Sequence, residues 1–263
     1  MIRVAAVGDV HFDRNSQGRL RQHLDQVANL ADVFLLAGDL TQTGHPDEIR
    51  VLAEDLRGCK IPVVAVLGNH DYHADQVEEI TKILEGAGVT VLDGTAVKIK
   101  VGNSEIGIAG IKGFGGGFPG GTASEFGEPE MKEFIRTTKR QAHKLREALM
   151  SLDTPYKVAL LHYSPIADTL MGEKKEIFPF LGSYLLAEAI DNANVDVAFH
   201  GHAHKGMEKG VTFGGVPVRN VAQPVIRHVC NIYTLNKHGI DKEGDSVMGE
   251  GRGHGTQGVY SSH

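Results

Sequence analysis

The chain has 263 residues, of which 41% are hydrophobic and 23% charged, and its formal net charge is −6. That composition suits a globular chain of one large α/β domain or two small ones. The negative balance argues against an electrostatic grip on nucleic acid or on an anionic membrane surface.

In chain order, five short apolar runs alternate with amphipathic stretches. The first run, IRVAAV (2–7), precedes a helical pattern over 18–31 with Leu20, Leu24, Val27 and Ala31 on one face. DVFLLA (32–37) follows, then a helix over 46–57 that starts at Pro46 and stripes Ile49, Leu52, Ala53 and Leu56. After IPVVAVL (61–67) comes a helix over 75–85, with Asp75 and Glu78 in a capping-box pattern and Gly86 as its stop. The longest helical stretch runs from Pro129 to Leu149, before YKVALL (156–161). A last helix over 181–193 precedes VDVAF (195–199). The runs are rich in Val, Ile and Leu and nearly continuous, as strands buried on both faces are.

This order predicts a largely parallel arrangement with right-handed crossovers. Segments 96–101, 104–109, 211–213, 216–221 and 231–236 have no long helices between them and read as antiparallel hairpins or meanders, with VGNS (101–104) as a turn. The expected architecture is a pair of sheets with helices outside, in one domain over 1–237. A tail over 238–263, rich in Gly, Ser and His, reads as disordered by composition. That tail leaves a homo-oligomer open as a partner. Cys59 and Cys230 form no CxxC and read as reduced thiols. The opening MIRVAAVGDVHF reaches Asp9 and His11 too early for a signal peptide, and no apolar run approaches the ~20 residues of a membrane span. A cytoplasmic location is the default expectation.

Each apolar run ends in polar residues of one chemical kind. The endings are GDVH (Asp9, His11), GD (Asp39), GNHD (Asn69, His70, Asp71), HYS (His162) and HGHAH (His200, His202, His204). In an open α/β sheet, ligands bind beyond the carboxyl ends of the strands. Five such ends aim imidazole, carboxylate and amide groups at one place, a cluster costly to bury unless a cation shares it. The pairs Asp9/His11 and His202/His204 are spaced so that alternate residues of an extended segment point the same way. Asp9, His11, Asp39, Asn69, His162, His202 and His204 make seven candidate ligands without a thiolate, which argues against a structural zinc site. So many ligands suit two metal ions about 3.5–4 Å apart with one carboxylate between them.

These five motifs, in this order from Asp9 to His204, resemble the calcineurin-like metallophosphoesterase family, and GDLTQTG (38–44) with GNHD resembles its bacterial branch that includes class III cyclic nucleotide phosphodiesterases. The resemblance implies a four-layer α-β-β-α sandwich with two mixed sheets. It also implies two divalent or mixed-valence ions (Mn, Fe, Zn, Co or Ni). Asp9, His11 and His204 would hold the first ion, Asn69, His162 and His202 the second, and Asp39 would bridge them. His70 would be a catalytic residue that protonates the leaving oxygen, with Asp71 orienting it. The implied activity is hydrolysis of a small phosphodiester, cyclic nucleotides included, or of a phosphomonoester by metal-activated water. A catalytically weak metal-binding scaffold is the rival. A nucleic acid polymer fits poorly as partner, because no basic stripe with interleaved aromatics is present.

Outside the motifs, His200 reads as a buried structural histidine at least as well as a supporting one, and His73 as exposed and uninvolved. Lys112 and Arg14 read as solvated charges rather than substrate contacts. The loop GFGGGFPGG (113–121) reads as a flexible connector or, slightly favoured, a substrate-side lid with anion-binding N–H groups. The segment 171–180 offers a further cleft wall.

Overall fold

The apolar runs become strands whose two faces enter two different cores. A computed structural model describes residues 1–236 and 239–248 of the chain. In β1 (Ile2–Val7), Ile2, Val4 and Ala6 face one cluster, while Ala5 and Val7 face another. In β2 (Val33–Ala37), Val33, Leu35 and Ala37 join the first cluster and Phe34 and Leu36 the second. Side chains alternate across a strand, so a strand with a core on each side must be apolar throughout.

The first sheet has the order β14-β13-β1-β2-β3-β4, with β3 at Val63–Val66, β4 at Val89–Val91, β13 at Cys230–Asn236 and β14 at Gly239–Val247. β1 to β4 are mutually parallel, and β13 and β14 close one edge antiparallel. The second sheet has the order β11-β12-β10-β9-β6-β5. Its strands are β5 (Thr95–Val101), β6 (Ser104–Ile111), β9 (Tyr156–Leu161), β10 (Val197–His200), β11 (Lys209–Val211) and β12 (Pro217–Asn220). Its four central strands are parallel and its two outer pairs antiparallel. β6 and β12, read from sequence as hairpin strands only, each pair antiparallel on one side and parallel on the other. A short ribbon joins β7 (Gly117–Phe118) to β8 (Gly121–Thr122).

The sheets pack on each other through Val4, Leu35, Val64, Ile108, Leu160 and Phe199, all fully buried. A side chain such as Leu160 contributes roughly 1.5–3 kcal/mol by leaving water. Helices α1 (Leu24–Leu30), α2 (Pro46–Leu56) and α3 (Val77–Gly86) cover the outer face of the first sheet. Helices α4 (Pro129–Met150) and α6 (Tyr184–Asp191) cover the second. One-turn helices α5 (Phe178–Leu181) and α7 (Gln223–Ile226) lie in loops. The expected four-layer α-β-β-α sandwich of two mixed sheets is therefore present. No described helix is long and apolar enough to cross a membrane.

Three local expectations change. The 18–31 helix is shorter: α1 begins at Leu24 after a 3-10 turn, and the buried Asp55 accepts hydrogen bonds from the N–H groups of Gly18 and Leu20. The capping box on α3 does not form. Asp75 lies in the left-handed region at φ 54°, and Gln76 caps without a side-chain bond. The third change concerns the tail, which was expected to start at 238 as a separate disordered piece. Its residues 239–247 instead form β14 on β13, and Val247 is fully buried beside Cys230 and Ile232. Composition missed this because one edge strand needs few apolar residues when its partner supplies the hydrogen bonds. The rest of the expected tail, 249–263, lies outside the described residues.

Val247→Asp should lower domain stability by about 3 kcal/mol, because it buries an unpaired carboxylate. Urea unfolding measures it; a strand that only brushes the sheet would leave the midpoint unmoved.

Candidate metal centre

The carboxyl ends of β1, β2 and β3 in one sheet and of β9 and β10 in the other meet in a single crevice. Each delivers its polar residues through a tight turn. Asp9, His11, Asp39 and His202 all adopt positive φ, at 56°, 42°, 49° and 69°. Such backbone is costly for residues with a Cβ and persists where the surroundings over-determine it. The glycines of the motifs serve the same crowding. Gly38 has φ 81°, and a Cβ there would sit 2.6 Å from His162 Nδ1. A Cβ on Gly201 would strike the Asp9 carboxylate.

Ligand atoms of Asp9, His11, Asp39 and His204 lie within 4.8 Å of one another, and those of Asp39, His162 and His202 form a second such group. Asp39 belongs to both. Asn69 joins the second, with its Oδ1 2.9 Å from His162 Nε2. The seven expected ligands are thus brought together and divide into two sets around one shared carboxylate.

The donor chemistry fits cations. His162 is fully buried, and its Nδ1 donates to the Ala37 carbonyl at 2.9 Å. Burial pushes its pKa well below the ordinary 6.5, so the ring is neutral and Nε2 presents a lone pair. That lone pair faces Asn69 Oδ1 and, at 3.3 Å, Asp39 Oδ1. Three acceptor atoms thus converge on one point. Both ring nitrogens of His11 are buried without a hydrogen-bond partner among the described residues. Burial also takes the His11 pKa down to about 4, against the pull of Asp9. His202 Nε2 donates to the Phe180 carbonyl at 3.3 Å, which leaves Nδ1 free, and burial lowers this pKa too, to about 4. The contacts that hold these rings are the outer partners a ligating histidine needs.

The carboxylates are tuned in opposite directions. Burial disfavours the Asp9 anion, yet the hydrogen bond from His204 Nε2, at 2.8 Å, and the nearby imidazoles hold its pKa well below the usual range. Burial, followed by the charges of Asp9 and Asp71, pushes Asp39 well above it. Without a cation the bridging position cannot hold its charge comfortably; a dication inverts that balance.

His70 stands apart from both sets. Its Nδ1 donates to the Gln42 carbonyl at 2.7 Å, its Nε2 lies 3.9 Å from Asp39 Oδ2, and its side chain is 37% exposed. The expected support from Asp71 is not what the structure contains. Asp71 is fully buried and accepts from Leu40 N, Thr41 N, Thr41 Oγ1 and Gly68 N at 2.6–3.1 Å. It ties the loop after β2 to the loop after β3, while the Gln42 carbonyl orients His70. Burial raises the Asp71 pKa, and those four donors oppose the rise. The partner that the resemblance implied is not the one His70 meets, because a 3-10 turn from His70 to Tyr72 sends successive side chains in different directions.

Other readings also change. Lys112 is not a solvated charge: its ammonium lies 4.6, 5.2 and 5.4 Å from the ring centres of Tyr72, Phe114 and Tyr163. The Gly-rich loop is tied down at its middle rather than a loose connector, and two of its N–H groups are committed to backbone carbonyls. Gly116 N donates to the Pro179 carbonyl and Gly117 N to that of Gly182. His200 is a buried structural residue, bonded through Nε2 to Thr169 Oγ1 at 2.8 Å and through Nδ1 to the Gly201 carbonyl at 2.7 Å. His73 is exposed. Tyr163, which sequence reasoning passed over, packs its ring 4.4 Å from that of His202. Its place directly after His162 was the available signal. Phe180, from the expected cleft wall, contributes the carbonyl that orients His202.

The family model for calcineurin-like phosphoesterases matches residues 2–206. The chain belongs to that family. Among curated proteins, none matches it significantly in sequence. Solved structures share the phosphoesterase fold at low identity. A phosphopantetheinyl hydrolase (PptH) from Mycobacterium tuberculosis is 15% identical with a TM-score of 0.64, over 85% of this chain and 90% of that one. The protein TT1561 of Thermus thermophilus is 16% identical with a TM-score of 0.56, over 91% and 97%. A 5'-nucleotidase from Staphylococcus aureus, described as putative, is 15% identical with a TM-score of 0.56; the match takes in 94% of this chain but 53% of that one.

Asp71→Asn should cost about 2 kcal/mol of stability and weaken metal binding, leaving the pH profile of any turnover in place; urea unfolding and Mn²⁺ titration read both. His204 generates a pH dependence. Burial lowers its pKa, but the hydrogen bond and charge of Asp9 outweigh this and raise it above 6.5. In the metal-free protein this gives stability that is full below 6.5 and lost as pH rises through the folded value. A metal must displace that proton, so affinity falls as pH drops through the raised value. Calorimetry in two buffers of different ionisation enthalpy detects the released proton.

Proposed function

We propose that this protein is a cytoplasmic, dinuclear-metal-dependent phosphoesterase that hydrolyses a small phosphodiester or phosphomonoester by direct attack of water. The observation that carries this reading is the pair of donor sets sharing Asp39, with His70 beside them and outside both. Asp9, His11 and His204 would hold one ion, Asn69, His162 and His202 the other, and Asp39 both. Bound there, two divalent ions would lower the pKa of a water between them, from 15.7 toward ~7 in the best cases, and offset charge on the phosphoryl oxygens.

The chain's own groups do the rest. The rings of His162 and His202 are held by backbone carbonyls, so their lone pairs need no reorientation when ions bind. His70 Nδ1 is committed to the Gln42 carbonyl, which directs Nε2 toward the crevice. From there Nε2 can deliver a proton to the departing ester oxygen, a role worth roughly 10²–10⁴-fold. The half-exposed ring can be reprotonated from solvent. No side chain is required as a covalent nucleophile.

His70→Ala should retain metal, measured by elemental analysis, and lose roughly 10²–10⁴-fold in kcat, most for poor leaving groups. Loss of metal from that variant would remove His70 from the acid role. With Mn²⁺ added, hydrolysis of bis- and mono-p-nitrophenyl phosphate tests the activity itself. Metal bound without turnover of either ester would favour the scaffold reading.

A further inference from the structure

A pocket of about 380 Å³ flanks the metal crevice and shares none of its seven ligands. It lies at the same edge of the two sheets. Leu67 follows β3, Leu92 and Asp93 follow β4, and Lys112 follows β6, while Val77 and Thr81 of α3 close the outer side. β4 is the neighbour of β3, which leads to Asn69, and β6 is the neighbour of β9, which leads to His162. The volume falls within the roughly 300–1,000 Å³ of small-ligand sites.

Lys112 joins the pocket to the metal centre. Its carbonyl accepts from His162 N at 3.1 Å and from Tyr163 N at 3.0 Å. The charge of Asp93 and, less strongly, that of Asp39 act on its ammonium, yet no carboxylate forms an ion pair with it among the described residues. Tyr72, whose ring it covers, shares a 3-10 turn with His70. A half-buried ammonium held by aromatic faces, with no direct ion pair, is poised to receive a ligand anion.

The remaining lining decides what fits beyond that ammonium. Leu67, Tyr72, Val91 and Leu92 make apolar walls. At the rim the exposed carboxylates of Glu78, Glu85 and Asp93 outnumber the Lys82 ammonium, even with Asp93 paired to Lys144 at 3.7 Å, and this negative balance disfavours a second negative group. Resting on the proposed phosphoesterase reading, we infer that the pocket receives one uncharged apolar or aromatic ester group of the substrate, while Lys112 binds a phosphoryl oxygen at the junction. The preferred substrates are therefore phosphoesters of a bulky apolar alcohol or phenol rather than of a small polar one.

Binding of non-hydrolysable phosphonates tests this without turnover. Mn²⁺-loaded protein is titrated calorimetrically with methylphosphonate and with 1-naphthylphosphonate. The wild type should bind the naphthyl compound at least about tenfold more tightly. Thr81→Phe, which fills the pocket from α3, should cut that advantage below about threefold. Lys112→Met, which keeps the apolar stem, should weaken both ligands about tenfold and preserve their ratio. Equal affinities in the wild type overturn the inference with no variant involved, as does an unchanged ratio in a folded, metal-loaded Thr81→Phe. A protein that discriminates between the phosphonates but hydrolyses no ester would sink the phosphoesterase reading and leave the pocket standing. One that hydrolyses esters without discriminating would sink the pocket alone.

Discussion

Two buried carboxylates, Asp9 and Asp39, sit among four imidazoles and an amide oxygen at the rim of a dry sandwich. This concentration of lone pairs is the constraint that shapes the rest. Asp9 keeps its charge because His204 donates to it. Asp39 has no comparable ring donor among the described residues, and burial with the charges of Asp9 and Asp71 disfavours its anion. Cations held between the two candidate donor sets would resolve the conflict. Four of its crowded residues take left-handed backbone, and glycines stand wherever a Cβ would press on a ligand.

Asp71 shows how such a centre is kept in shape. Its four acceptor contacts bind the loop bearing Asp39 to the loop bearing Asn69, so two ligands from different strands move as one unit. A buried carboxylate used in this way is stable because every oxygen lone pair that matters has a donor. The Gln42 carbonyl, part of the same loop, then aims His70. The positions of the candidate ligands and of His70 therefore depend on one hydrogen-bonded loop pair.

The second sheet adds the surroundings. Tyr163 packs on His202, Phe180 holds the same ring by its carbonyl, and the Gly-rich loop packs close because its N–H groups are spent on Pro179 and Gly182. Rigid backbone there supports the centre from behind. On the opposite flank, Lys112 and Tyr72 border open space.

The sequence alone determined most of the strands, most of the helices and the seven candidate ligand residues. Continuous apolar runs mean strands with a core on each face, and the polar residues that end them must gather where parallel strands end. It also carried the resemblance by which the four layers and the division of ligands into two sets were expected. Tertiary structure decided what depends on residues distant in the chain. Asp71 answers to Leu40 and Thr41 rather than to its neighbour His70. Lys112 is sheltered by aromatic rings from three segments, and residues 239–247 become a strand because β13 offers an open edge. Spacing reports which way a residue points within its own element; which group it meets is settled only when another element arrives.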